Sequence, residues 1–372
     1  MRNEVLVIGA GPAGIASAYY LEKAGLPYRV VERESIAAST WAGVYPSLQL
    51  NTAGFVSHLP GMRMPLRLGI FPMGKDYYGY ILKYLQKHKF NIDYGVEVKR
   101  VTPEGDGWCV ETTHGSDVYR AVIIASGRYG NPYIPNIPGM KQFSGRILHA
   151  HDFHAPEDFD GQRVLLVGSG PSAADIAVAL GDHAANPVYL SVRSDILLAR
   201  KYPYGLPNTA WQILLKPLPE RWRKRLLNKL VYQGYRDAKE LGLKFAPNRE
   251  DRVGTSAPVR GHELVDAIRA GTIKTMDGLA RFEGRCAVLE NGTSLEVDTV
   301  IFGTGYRPVL NFLDFPYALD DDGWHIRIER KTYQVEGLDG LYLVGWFYRG
   351  LGPLRNVRVE AQTVVESIKH LW

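Results

Sequence analysis

Two stretches of this 372-residue chain repeat one order of apolar and polar positions. EVLVIGAGPAGIASAYYLEKAGLPYRVVERES (residues 4–35) runs as an apolar strand, a glycine-rich turn, a helix of small residues, a second apolar strand and an acid. GQRVLLVGSGPSAADIAVALGDHAANPVYLSVRS (residues 161–194) keeps that order but has Arg193 where the acid stood. Unbroken apolar runs mark strands covered on both faces, and strand, helix, strand in succession builds a parallel sheet. In between, VEVKRV, WCVETT and DVYRAVIIASG alternate apolar and polar residues as a small antiparallel sheet does, and NPYIPNIPG reads as a proline-rich linker. The pattern predicts an α/β protein of two domains. Residues 1–154 and 306–372 form the first, and residues 155–305 are inserted into it as the second.

Within the second domain, about residues 205–250 form a helical insertion rich in basic and aromatic side chains. Trp211, Leu214, Leu215, Trp222, Leu226, Leu227, Leu230 and Val231 recur at helical spacing, which predicts a face packed on the core. Lining a substrate tunnel, or a peripheral membrane or RNA contact through RWRKR, stays open for the same stretch.

The glycines give the two repeats their chemistry. Gly9, Gly11 and Gly14 form G-x-G-x-x-G between strand and helix: the first for a tight turn, the second for backbone approach to a pyrophosphate, the third for close helix packing. Glu32, ending the following strand, can accept ribose hydroxyls and disfavours a 2'-phosphate, which suits FAD or NAD. Gly168, Gly170 and Ala173 repeat the motif as G-x-G-x-x-A, and Arg193 can pair with a 2'-phosphate, which suits NADP; a solvated strand-end cation is the alternative. Both domains are therefore expected to be Rossmann-like and to bind dinucleotides.

A net charge of +5 and a pI near 8.9 are too slight at this length to indicate a nucleic-acid partner. Cys109 and Cys286 are far apart with no C-x-x-C, which excludes a disulfide framework, a zinc ligand set and a dithiol redox pair. No leader sequence opens the chain and no apolar run is long enough to span a bilayer, so a cytoplasmic protein is expected, with a homodimer left open.

FSGRILHAHDF (residues 143–153), between the two repeats, reads F-x-G-x-x-x-H-x-x-x-F through Phe143, Gly145, His149 and Phe153. Together with the two glycine loops and IFGTGYRP (residues 301–308), it resembles the class B flavin monooxygenases: flavin-containing monooxygenases, YUCCA-type enzymes and, more distantly, Baeyer-Villiger monooxygenases. The likeness extends over nearly the whole chain. Three departures stand out: His154 replaces the Lys or Pro that usually follows the string, Gly303 replaces an alanine, and AASTWAG lacks the paired glycines that usually precede the tryptophan.

The resemblance implies FAD in the first domain and NADPH in the second. The implied cofactor-binding set is Gly9, Gly11, Pro12, Ala13 and Gly14; Glu32 and Arg33; Thr40 and Trp41; Val98; Ala125, Ser126 and Gly127; Gly168, Ser169, Gly170, Pro171 and Ser172; Arg193; Thr304, Gly305 and Tyr306; and Gly345. It implies that NADPH reduces FAD, that O2 forms a C4a-(hydro)peroxyflavin, and that one oxygen atom enters a small organic substrate at N or S. Baeyer-Villiger oxidation of a ketone and plain NADPH reductase or oxidase chemistry are the alternatives. Asn51 matches the asparagine that lies beside the oxygenating species, although an Asn-Thr cap or turn is equally ordinary there. The Baeyer-Villiger alternative needs an arginine, for which Arg252, Arg260, Arg349 and Arg355 are all candidates. His149 is expected to tie backbone through its ring nitrogens and so stiffen the joint between the domains.

Overall fold

The computed structural model describes residues 2–183, 187–193, 195–232, 241–243, 257–320, 323, 325–347 and 350–371. The chain divides into two compact units. Unit one comprises Met1–Gly43, Gly54–Asn131 and Tyr306–Trp372, and unit two comprises Val44–Ala53 and Pro132–Gly305.

In unit one, β1 (Arg2–Ile8), α1 (Pro12–Ala24), β2 (Tyr28–Glu32) and β3 (Ile92–Tyr94) lay down a parallel sheet. Helix α1 starts on Pro12, whose missing amide costs nothing at a helix N-terminus, and stops at Gly25 in the left-handed region (φ +68°). Two short helical turns, α2 (Ser39–Ala42) and α3 (Gly54–Ser57), precede α4 (Gly74–Lys87). Helix α4 buries Tyr77, Tyr80, Ile81 and Tyr84 on one side. Their spacing of three and four residues makes that apolar stripe. Two of the phenols bond within the unit: Tyr80 donates to the Met62 carbonyl (2.6 Å) and Tyr84 to that of Pro60 (2.7 Å).

Strands β4 (Val98–Glu104), β5 (Gly107–Thr112) and β6 (Gly115–Ile124) form the antiparallel meander. The ten residues of β6 join the parallel and antiparallel parts of one seven-stranded sheet. Its first half pairs with β5, and its last residues lie between β1 and β19 (Leu341–Leu343) in parallel register. That double duty explains why YRAVII alternates less and less toward its end, where Ala121, Val122, Ile123 and Ile124 are all fully buried.

Unit two holds a five-stranded parallel sheet in the order β13-β10-β9-β17-β8. Its members are β8 (Arg146–His149), β9 (Val164–Val167), β10 (Val188–Ser191), β13 (Ile273–Met276) and β17 (Thr299–Phe302), with α5 (Pro171–His183) following β9. The antiparallel strands β14 (Leu279–Glu283), β15 (Cys286–Leu289) and β16 (Ser294–Glu296) share a core with it through Phe143, Leu165, Phe282 and Phe302.

Two boundaries differ from the sequence expectation. Residues 132–154, expected in the first domain, fall in unit two, because β8 adds to the edge of β17 in parallel register from Thr299↔Arg146 to Phe302↔His149. Residues 44–53, flanked on both sides by unit-one sequence, also belong to unit two. The F-x-G-x-x-x-H string is thus an edge strand of unit two and not a joint.

In the insertion, α6 (Asn208–Leu214) and α7 (Glu220–Leu227) are helical, while residues 233–240 and 244–250 lie outside the described residues. Trp211, Leu215, Leu227, Leu230 and Val231 pack with Leu197 and Ala199 as a core face. Leu214 and Trp222, expected on that face, are 60% and 58% exposed instead. Pro217 and Pro219 separate the two helices, so the helical phase that fits α6 is not carried into α7.

Candidate active site

The first glycine loop shows a separate physical reason for each glycine. Gly9 sits at φ +105°, and a Cβ there would lie 2.7 Å from the Ala125 carbonyl oxygen. A Cβ on Gly14 would lie 1.8 Å from the Gly9 carbonyl oxygen, so α1 approaches β1 at a distance no side chain permits. Around Gly11 nothing lies within 4 Å of where a Cβ would stand: its open face is empty of protein.

Glu32 is buried, and both carboxylate oxygens accept backbone amides: Oε2 that of Ala10 at 2.7 Å, Oε1 that of Glu34 at 3.0 Å. It therefore braces the loop that it borders, leaving further lone pairs for hydroxyl donors. Arg33 is exposed and pairs with Glu34 at 3.1 Å. Thr40 and Trp41 lie on α2, where the Trp41 ring stands 4.5 Å from that of Tyr77. Val98 begins β4 opposite Thr112, its side chain against the unit-one core.

At the end of β6, Ala125 is buried, Gly127 turns at φ +80°, and the Ser126 hydroxyl is buried with no hydrogen-bond partner among the described residues. Gly9 meets this turn, its Cβ position 3.3 Å from the Ser126 Cα. The open face of Gly11 and the unused Ser126 hydroxyl thus belong to loops that follow neighbouring parallel strands, the ordinary place for a dinucleotide. Gly345 (φ +88°) abuts Ala13 and donates its amide to the buried Glu360 at 2.7 Å. Helix α9 (Pro353–Ile368) carries Glu360 and begins after Gly352 at φ +98°. Sequence reasoning missed Arg128 and Trp346, whose Nη1 and Nε1 are buried without partners among the described residues; an orphaned donor is visible only in three dimensions.

Unit two repeats the geometry with one exchange. A Cβ on Gly168 (φ +149°) would lie 2.5 Å from the Gly303 carbonyl oxygen, while Gly170 has nothing within 4 Å. A Cβ on Gly303 would lie 2.6 Å from the Cβ of Ala173. The third motif position carries a methyl here, and the facing strand end has given one up. The alanine-to-glycine departure at Gly303 is thereby accounted for. Ser169, Pro171 and Ser172 line the turn into α5, and Arg193 is exposed just beyond β10.

His149 is buried. Its Nδ1 accepts the His151 amide at 3.0 Å, which leaves the proton on Nε2 to donate to the Gly305 carbonyl at 2.9 Å. Burial lowers its basicity. The same carbonyl accepts the Tyr133 amide at 3.0 Å, and the Thr304 hydroxyl donates to the Tyr133 carbonyl. Gly145 cannot carry a side chain, since a Cβ would meet Phe143 at 2.5 Å and the Asp298 carbonyl oxygen at 2.6 Å. In unit one, the Tyr306 ring stands edge-on to Tyr129 at 5.3 Å.

Asn51 is half-buried on the 44–53 segment, which unit two holds at several points. Tyr45 donates to Asp175 at 3.4 Å, Lys201 donates to Gln49, and the Ala53 amide donates to Thr209 at 3.4 Å. Burial pushes the Asp175 carboxyl up to about 6, against the Tyr45 hydrogen bond and the Lys201 charge, which pull it down. Of the candidate arginines, Arg252 and Arg349 lie outside the described residues. Arg260 donates to Asn208 at 3.2 Å, and Arg355 sits in the first turn of α9.

The sequence model of the pyridine nucleotide-disulphide oxidoreductase family matches residues 6–204. The probable indole-3-pyruvate monooxygenase YUCCA1 of Arabidopsis thaliana is 30% identical over 357 residues, covering 93% of this chain and 85% of that protein. The chain belongs to the class B flavin monooxygenases. In fold it is similar to the flavin-containing monooxygenase from Stenotrophomonas maltophilia (TM-score 0.75, 23% identity, 99% of each chain). It is also similar to cyclohexanone monooxygenase from Rhodococcus sp. Phi1 bound to NADP+ (TM-score 0.70, 15% identity, 99% of this chain and 84% of that one). As a class B flavin monooxygenase it is an oxidoreductase that uses FAD and NADPH. Among the described residues, no helix is long and apolar enough to cross a membrane.

Proposed function

We propose that this class B flavin monooxygenase transfers one oxygen atom from O2 to nitrogen or sulfur of a small organic substrate, with FAD held by unit one and NADPH by unit two. The observation that carries the reading is the matched pair of loops: in each, the first glycine is closed by protein and the second is open, with Glu32 bordering one loop and Arg193 the other. When bound, FAD supplies the redox chemistry and the activation of O2.

The residues of the chain do the rest. The α1 and α5 N-termini, opened by Gly11 and Gly170, offer backbone amides to pyrophosphates. Glu32 accepts ribose hydroxyls while it braces the Ala10 amide, and the Ser126 hydroxyl finds in FAD the partner that the described residues do not provide. Arg193 pairs with the 2'-phosphate of NADPH. Asn51, held on unit two by the Tyr45 and Ala53 contacts, donates its uncharged amide to bound NADP+ and keeps that site dry without adding a charge. The name of the YUCCA1 relative makes a 2-oxo acid worth assaying beside amines and sulfides. We infer a cytoplasmic location, the compartment that suits a chain whose two cysteines, Cys109 and Cys286, are not joined in a disulfide.

The test is substrate-dependent NADPH oxidation under 18O2 across amines, sulfides, ketones and 2-oxo acids, with products read by mass spectrometry. One 18O atom in the product is expected. NADPH oxidation that yields only hydrogen peroxide with every class, or that needs an acceptor other than O2, would mean a reductase or oxidase.

A further inference from the structure

The helical insertion leaves a run of apolar side chains in solvent. Tyr204 is 69% exposed, Leu214 60% and Trp222 58%, with Leu206, Ile213 and Leu218 also exposed. All six fall within one run of 19 residues. Residues 201–232 carry seven lysines and arginines against a single acid, Glu220, a net +6, whereas the whole chain is only +5. The remainder of the protein is close to neutral, so the charge excess belongs to this segment alone. Glu220 is itself bonded to Lys224 at 3.0 Å, and Arg225 lies over the Trp222 ring, 5.9 Å from its centroid.

We propose that the α6–α7 segment is a docking surface for an anionic lipid bilayer. Apolar side chains held in water along one short segment mark a surface that is covered in use. Tryptophan and tyrosine favour the headgroup level, leucine and isoleucine the first carbons below it, and lysine and arginine stems lie along that boundary with their charges among phosphates. The occupant follows from the charge. An isologous pairing of two copies would set +6 against +6, which disfavours a second copy of this chain. RNA would match the charge and stack on Trp222 and Tyr204, but it offers no hydrocarbon in which to bury Leu206, Ile213, Leu214 and Leu218. Docking is peripheral: α6 and α7 span seven and eight residues, far short of a bilayer.

The experiment is flotation of the FAD-loaded full chain with vesicles of phosphatidylcholine alone and with roughly 30 mol% phosphatidylglycerol added, where surface potential attracts basic segments. Binding to the anionic vesicles at least about tenfold stronger than to neutral ones is expected, weakened by salt. Leu214→Ser with Trp222→Ser removes exposed apolar groups only, so it should cut vesicle binding about tenfold while melting temperature and NADPH oxidation stay unchanged. Arg221→Glu with Arg225→Glu should abolish the preference for anionic lipid. Equal or absent binding to both vesicle types overturns the proposal, as does unaltered binding by the serine pair. A dimer in light scattering that the serine pair splits would assign the surface to a second copy. An RNA oligonucleotide that displaces the vesicles while binding the serine pair undiminished would assign it to nucleic acid.

Discussion

Gly303 and Ala173 offer a direct test of how closely helix and strand end are matched in unit two. A methyl placed on Gly303 would stand 2.6 Å from the Ala173 Cβ, 3.0 Å from its Cα and 3.1 Å from its nitrogen. Two of those three atoms are helix backbone, so no rotamer change relieves the contact and α5 must move. Gly303 does not occupy a left-handed conformation, so alanine there is strained by space alone. Overpacking of this kind costs ~1–3 kcal/mol. Ala173→Gly removes a buried methyl and loosens a helix, at ~0.5–1 kcal/mol or somewhat more. Combining the two returns one methyl to the contact from the other side, so the pair should recover much of the Gly303→Ala loss, with an interaction energy of ~1–2 kcal/mol. In a unit of this size, each kcal/mol moves the melting point by roughly 2–4 °C. Thermal melts of the four proteins, read by loss of NADP+ binding so that unit two is the unit reported, measure the cycle. Additive losses would refute the argument, because they would mean that the two positions do not compete for one space.

Other outcomes follow from the same geometry. Gly170→Ala enters open space and should leave the apoprotein melting point within about 1 °C while raising the KM for NADPH roughly tenfold, since the methyl stands where pyrophosphate approaches. Arg193→Ser should raise the KM for NADPH by roughly 10- to 100-fold and leave that for NADH nearly unchanged; no change in either KM would make Arg193 a solvated cation only. Asp175 has a folded pKa raised above its unfolded value, so the protonated form is favoured by folding. That contribution is complete below about 3.8 and is lost as pH rises through about 6. Asp175→Asn should therefore melt higher than the parent at pH 8, by up to ~3 kcal/mol, with the gain vanishing toward pH 4; a gain independent of pH would show that ionisation is not its source. Asn51→Ala should leave flavin reduction by NADPH within about twofold but divert more of the consumed NADPH to hydrogen peroxide, measured as the peroxide-to-product ratio.

What sequence alone determined was local. Gly9 and Gly168 announce a backbone that only glycine adopts easily, Gly14 a contact that tolerates no side chain, and the fading alternation along β6 a strand passing from one covered face to two. Each is a constraint written within a few residues, so it can be read from type and spacing. What the tertiary structure decided is long-range pairing. The F-x-G-x-x-x-H string became an edge strand of unit two because β17 offered it four partners some 150 residues away, and the 44–53 segment joined the same unit through Tyr45, Gln49 and Ala53. The exchange of a methyl between Ala173 and Gly303, 130 positions apart, is hidden in sequence, where Gly303 alone departs from the family pattern, and in space is one contact. Trp222 kept helical spacing on paper and lost its buried face once Pro217 and Pro219 reset the phase between two helices. Periodicity reports which side chains share a face, but what covers that face is supplied by chain that periodicity does not see.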